Sequence, residues 1–166
     1  SFTSPEWYWK KPQFASANKQ QISVTNEVPS LVPRLMAVAM TGIKVGESPV
    51  WLKSFITRIG GKPVNNIVDL SNYIMHITGQ PTHAYDLNKL EDKQIVARLA
   101  KEDEEIALLN SKTIKLTASD IVIADGIKAI GVAGIMGGST TEVDSNTTDI
   151  LLEVASFDMY TIRKTA

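Results

Sequence analysis

The hydrophobic period of this chain changes from helical to strand-like after Gly79, and that change limits what it can fold into. From Leu52 to Ile77 the apolar residues recur three and four positions apart, as on one face of a helix. From Gln94 onward they come as short runs divided by turn residues: QIVARLA, EIALL, KTIKL, DIVIA, IKAIGVAGI and DILLEVA. Runs of that length and spacing read as strands of a sheet. Two amphipathic helices followed by strands imply layered packing, so the expected class is α+β, a mixed β-sheet assembly with helices packed on one side in a ββα-type sandwich.

Local signals place the helices. Ser48-Pro49 opens the first, with the serine as cap and proline at the first helical position; Leu52, Phe55, Ile56 and Ile59 form its buried face and Gly60-Gly61 ends it. Asn65 or Asn66 caps the second, Ile67, Leu70, Tyr73, Ile74 and Ile77 form a stripe that faces a core, and Gly79 supplies a left-handed stop. Asp69, Asn72 and His76 fall on another face, where they can reach one another or a ligand. Pro81 then delivers His83, Tyr85 and Asp86 on irregular backbone. Upstream, RLMAVAMTGIKV reads as a buried strand. Downstream, Lys101–Glu104 and Asn110-Ser111 read as hairpin-type connections, Asp125-Gly126 is the strongest two-residue turn signal, and Asp158 caps a last helix. That helix reaches Ala166 without a stop signal, which reads as a C-terminally truncated fragment.

Domain organisation follows. Residues 1–21 have no helical or strand period (SPEWYWKKPQF) and read as an extended arm or the tail of a preceding domain; residues 22–166 form one domain. Trp7, Tyr8 and Trp9 either pack on a domain or stack on bases. Seventeen basic and eighteen acidic residues leave a net charge of -1, so no global field draws in nucleic acid and any RNA contact is local. With no cysteine, disulfides, thiolate metal sites and cysteine nucleophiles are excluded, which fits a cytoplasmic protein. No apolar run approaches the ~18 residues that cross a bilayer, so no membrane partner is expected. Two histidines, His76 and His83, make a multi-histidine metal site impossible without several carboxylates.

Three features can carry chemistry. Gly131-Val132-Ala133-Gly134-Ile135-Met136-Gly137-Gly138 follows an apolar strand; it reads either as close-packing or bulge glycines or as a loop whose free amides line a ligand. It matches neither the P-loop nor the dinucleotide fingerprint. Glu153 lies inside LLEVA, where a carboxylate is either solvent-facing or a buried acceptor awaiting a donor on a ligand. His83 can transfer a proton or cap backbone, with Asp86 as a possible orienting partner; His76 reads as structural. No GxSxG nucleophile elbow occurs.

In their order, NNIVDLSNY, GQPTHAYDL, GVAGIMGG and the glutamate strand LLEVASFDMYTIRKTA, spanning about Leu31 to Ala166, closely resemble the editing domain in the beta subunit of bacterial phenylalanyl-tRNA synthetase. The resemblance implies hydrolysis of the ester of tyrosine misattached to the phenylalanine tRNA. Such a step is useful because an apolar synthetic pocket rejects an added hydroxyl by only ~100-fold. It implies that Glu153 accepts the phenolic hydrogen bond, which phenylalanine lacks at a cost of about 1–3 kcal/mol or more. It also implies that His83 is the catalytic-site residue near the ester and terminal adenosine, that Asn72 lines the pocket, and that Gly137 contacts the aminoacyl group through its backbone. No metal is implied: backbone amides and the terminal ribose hydroxyl would hold the water, with no obligatory side-chain base. Family members carry a threonine and a small residue beyond this point of the chain that complete the pocket. The implied partners are aminoacylated tRNA, the alpha subunit and the rest of the beta subunit; ATP and magnesium serve the parent ligase elsewhere, none serving the editing domain. The reading of a different class is a non-catalytic module that binds an aromatic amino acid or scaffolds subunits.

Overall fold

The computed structural model of the chain describes residues 3–11 and 20–166. In order the elements are α1 (Glu6–Trp9), β1 (Ser23–Asn26), β2 (Arg34–Met40), α2 (Val50–Arg58), α3 (Asn66–Thr78), β3 (His83–Asp86), β4 (Gln94–Leu99), β5 (Glu105–Ala107), β6 (Thr113–Lys115), β7 (Ile121–Ala124), β8 (Ala129–Val132), β9 (Met136–Gly137), β10 (Ile150–Ser156) and α4 (Met159–Thr165). The expected arm thus contains one helical turn, α1; the side chains of Trp7 and Tyr8, and with them the stacking expectation, lie outside the described residues.

The strand runs are divided among three sheets rather than one. A five-stranded sheet has the order β1-β4-β7-β8-β9, a three-stranded sheet β2-β10-β3, and β5-β6 is a hairpin. β1 runs parallel to β4 and the other pairs are antiparallel, so the assembly is mixed. Alternation along β10 assigns its two faces. Leu151 and Glu153, with Ala39 and Ala37 on β2 and Tyr85 and His83 on β3, face the five-stranded sheet. There Leu151 and Tyr85 pack with Ile95, Ile121, Ile123 and Ile130 in the main core. Ile150 and Leu152 point the other way, onto Ile43, Val45 and Ile67 beneath α3. The hairpin covers the outer face of the larger sheet with Ile106 and Leu116 against Val122 and Val132. Helices, three-stranded sheet and five-stranded sheet therefore stack as the expected α+β layers.

Several local expectations change. β2 is a half-exposed edge strand, not a buried one, with Met36 and Met40 turned outward. The four residues HAYD, read as irregular, form edge strand β3 because β10 offers them a ladder. Lys101–Glu104 links two sheets and is no hairpin, whereas Asn110-Ser111 does turn the β5–β6 hairpin, Ser111 taking φ 65°. Asp125-Gly126 closes β7 onto β8 through a four-residue loop, because the Asp125 carboxylate accepts from the amides of Ile127 and Lys128, both at 2.8 Å, and so holds a longer turn. Asp158 caps α4 as expected, accepting from the Thr161 amide at 2.8 Å.

Ser48 does not cap α2. Its hydroxyl instead donates to Asp69 at 2.5 Å, and the other Asp69 oxygen accepts from the Val64 amide at 2.9 Å. Asp69, 0 % exposed, thereby ties α2, the loop after it and α3 together. It is the one buried residue of α3, whose apolar stripe is only partly covered: Leu70 is 46 % and Ile77 41 % exposed. Tyr73 joins the helices by edge-on contacts with Trp51 and Phe55, centroids 5.3 and 4.8 Å apart. Asn65 caps α3 through the Ile67 and Val68 amides, and Gly79 takes φ 73° to end it.

Candidate functional site

Where β3 forms the edge of its sheet, the two sheets part and leave a cavity of about 360 Å³, a size typical of small-molecule sites. Its walls come from both sides: His83, Tyr85 and Glu153 from the three-stranded sheet, Ile123, Gly131 and Gly137 from the five-stranded one. The pairing explains the convergence. His83 lies directly opposite Glu153 in the β3–β10 ladder, and Gly131 opposite Gly137 in the β8–β9 ladder.

The glycines are small there for a reason. A Cβ on Gly137 would sit 2.5 Å from His83 Nε2, and one on Gly131 would sit 3.3 Å from the Tyr85 hydroxyl, so side chains at either position would crowd the groups that line the cavity. Gly138 answers to packing alone, since a Cβ would meet the Ile130 carbonyl oxygen at 2.7 Å. Close packing thus accounts for Gly138, while Gly131 and Gly137 line the cavity.

Glu153 is 7 % exposed, and its carboxyl forms no hydrogen bond among the described residues. Burial alone pushes its pKa up to about 7. Beside it, burial and the charge of Glu153 push the Tyr85 hydroxyl well above its ordinary range. Burial lowers the His83 pKa, so its imidazole is held neutral, with its ring edge-on to Tyr85 at 4.5 Å and 74°. The result is a mostly apolar cavity with one unpartnered carboxyl and one neutral imidazole.

Asp86 does not orient His83. Its side chain points to the opposite face, accepting from the Asn88 amide at 2.9 Å and the Thr147 hydroxyl at 2.7 Å. Nor do Asp69, Asn72 and His76 converge: Asp69 is consumed by Ser48 and Val64, and His76 is exposed. Asn72 lines a second cavity of about 350 Å³, beneath α3, which shares Thr82, His83 and Leu109 with the first. Thus His83, Gly137 and Glu153 meet in one cavity, and Asn72 faces its neighbour across His83. Tyr85 was missed as a site residue; its period-two spacing from His83 on one strand face is the signal that places it there. Among the described residues no three histidine, aspartate or glutamate side chains are grouped to hold a metal ion.

Comparison with known proteins supports the beta-subunit part of the resemblance. The B3/4 domain family matches residues 31–166. Over 136 residues the chain is 43 % identical to the phenylalanine–tRNA ligase beta subunit of Lactobacillus johnsonii, covering 82 % of this chain and 17 % of that protein. Over 151 residues it is 43 % identical to the same subunit of Rhodopirellula baltica, covering 91 % and 22 %. Over 145 residues it is 44 % identical to that of Carboxydothermus hydrogenoformans, covering 87 % and 18 %. The chain thus spans about a fifth of the length of these curated relatives. Its fold is shared with an N-terminal fragment of the phenylalanyl-tRNA synthetase beta subunit from Pyrococcus horikoshii, at a TM-score of 0.65 and 13 % identity, over 90 % of this chain and 47 % of that one. The chain belongs to the B3/4 domain family.

Proposed function

We propose that the chain is the editing module of a phenylalanine–tRNA ligase beta subunit and hydrolyses the ester of tyrosine wrongly attached to the phenylalanine tRNA. The observation that carries this reading is Glu153: a buried carboxyl, without a hydrogen-bond partner among the described residues, set in the wall of an apolar cavity. Such a group is costly unless a ligand satisfies it. The phenol of tyrosine supplies the missing donor, and phenylalanine fills the same apolar space while leaving the carboxyl unpaired.

The reaction needs water to attack the ester carbonyl carbon. The carbon–oxygen bond to the ribose then breaks, the amino acid leaves as its acid, and the water proton ends on the ribose oxygen. His83, neutral and in reach of the cavity, positions the ester or the water, while the backbone at Gly137 contacts the aminoacyl group. The step uses water and the chain's own groups, with no cofactor. By the same reading the parent ligase is cytoplasmic, works with an alpha subunit on aminoacylated tRNA, and uses ATP and magnesium elsewhere.

Calorimetric titration of the chain with tyrosinamide and phenylalaninamide tests the sieve. Tyrosinamide should bind at least about fivefold more tightly, and Glu153→Ala should erase that preference. Equal binding of both amides to the unchanged chain would remove the basis of the proposal.

A further inference from the structure

A tyrosyl phenol taken into the cavity brings two demands, because its oxygen donates one hydrogen and also accepts on its lone pairs. Glu153 answers only the first. Without a donor of its own, the phenolic oxygen gives up water and gains nothing in return, which is costly between apolar walls. Among the described residues, the wall side chains that can donate are Thr82, His83 and Tyr85. Ser71 donates to the Thr82 carbonyl at 2.6 Å and lies 2.7 Å from the Thr82 hydroxyl, so Thr82 gives its hydrogen to Ser71. His83 belongs to the ester by the reading above. The Tyr85 hydroxyl, by contrast, is buried and makes no hydrogen bond among the described residues.

Its position suits the task. Glu153 pairs with His83 and Leu151 with Tyr85, so Tyr85 and Glu153 are diagonal neighbours on one sheet face, a spacing that aromatic and long side chains bridge. The two are close enough that the charge of Glu153 raises the Tyr85 hydroxyl. That hydroxyl comes up against Gly131 on the opposite wall, where a Cβ would sit 3.3 Å from it.

We propose that Tyr85 is a second specificity-determining residue, its hydroxyl donating to the phenolic oxygen of the tyrosyl group while that phenol donates to Glu153. The inference rests on the editing reading and adds a donor to its acceptor. The three oxygens form one chain running from Tyr85 through the substrate to Glu153. Donation into the phenolic oxygen polarises its own O–H, so each bond strengthens the other. Phenylalanine leaves two buried polar groups unpaired instead of one. The ring of Tyr85 packs in the core with Ile95, Ile121 and Ile123, a task that needs no hydroxyl.

Calorimetric titration of the whole chain with tyrosinamide, phenylalaninamide and 4-aminophenylalaninamide tests the proposal. The ring amino group of the third ligand donates to Glu153, but its conjugated nitrogen is a poor acceptor. Tyr85→Phe should weaken tyrosinamide at least about threefold and leave the other two amides unchanged. Glu153→Ala should weaken tyrosinamide and the 4-amino ligand together. Because the deleted hydroxyl has no partner in the free chain, the urea midpoint of Tyr85→Phe should be no lower than that of the unchanged chain. Tyrosinamide binding untouched by Tyr85→Phe overturns the proposal and leaves the sieve resting on Glu153. Equal weakening of tyrosinamide and the 4-amino ligand, or a lowered urea midpoint, also overturns it, because Tyr85 would then only shape the cavity. Equal binding of tyrosinamide and phenylalaninamide to the unchanged chain would instead refute the sieve, and the proposal with it.

Discussion

Replacing Glu153 by glutamine keeps the shape and a carbonyl acceptor but removes the titration, and its effect on stability should depend on pH. In the folded chain burial raises the carboxyl from 4.5 to about 7. A raised acid favours folding in its protonated form: its contribution is fully present below the unfolded value and is lost as pH rises through the folded one. Between pH 5 and pH 8 the wild-type chain should therefore lose about 2–3 kcal/mol that the glutamine variant does not lose. Other titrating groups are common to both chains and cancel in the difference. Urea unfolding of both at the two pH values measures it, with glutamine gaining on glutamate as pH rises. A constant offset, or a difference of opposite sign, would refute the claim that Glu153 is desolvated and unpartnered.

Asp69→Ala leaves the Ser48 hydroxyl and the Val64 amide without their acceptor in a fully buried position, and should cost about 3 kcal/mol in urea unfolding at neutral pH. Gly137→Ala places a methyl group 2.5 Å from His83 Nε2, so the imidazole must move; tyrosyl-ester hydrolysis should fall at least about tenfold, with a change in stability under about 1.5 kcal/mol. Glu104 pairs with Arg98 through two bonds of 2.7 and 2.8 Å and is pulled down to about 2 by the guanidinium. Glu104→Ala should cost about 3–5 kcal/mol at pH 7. Because that carboxylate is lowered, its contribution is present above its unfolded value and fades as pH falls toward 2, so the wild-type advantage should shrink in acid unfolding.

What was legible in the sequence was local. The α3 cap at Asn65 and the α4 cap at Asp158 depend on side chains bonding amides two or three residues away, the stop at Gly79 depends on its own left-handed φ, and each stands where the pattern puts it. The number of sheets was not legible, because a strand's partner is fixed by contacts far along the chain. β3 is the clearest case: four residues after a proline become a strand only because β10, nearly seventy residues later, pairs with them. The burial of Glu153 was undecidable from its neighbours for a related reason, since β10 is covered on both faces and reads as apolar throughout. Ser48 misled because a hydroxyl before a helix can cap it or bond elsewhere, and the aspartate that claims it lies 21 residues on. The site residues were found one at a time; that His83, Gly137 and Glu153 share a cavity, with Asn72 across His83, follows from the β3–β10 ladder together with the stacking of the two sheets and of α3.

The most direct test of the account is deacylation of tyrosyl- and phenylalanyl-tRNA, both carrying the phenylalanine anticodon, by the parent ligase with this region unchanged, with Glu153→Ala and with His83→Ala. The account predicts that the unchanged enzyme hydrolyses the tyrosyl ester selectively, that the Glu153 variant loses the selectivity, and that the His83 variant is slowed. Equal, slow hydrolysis of both esters by all three would contradict it and leave a non-catalytic module as the better description.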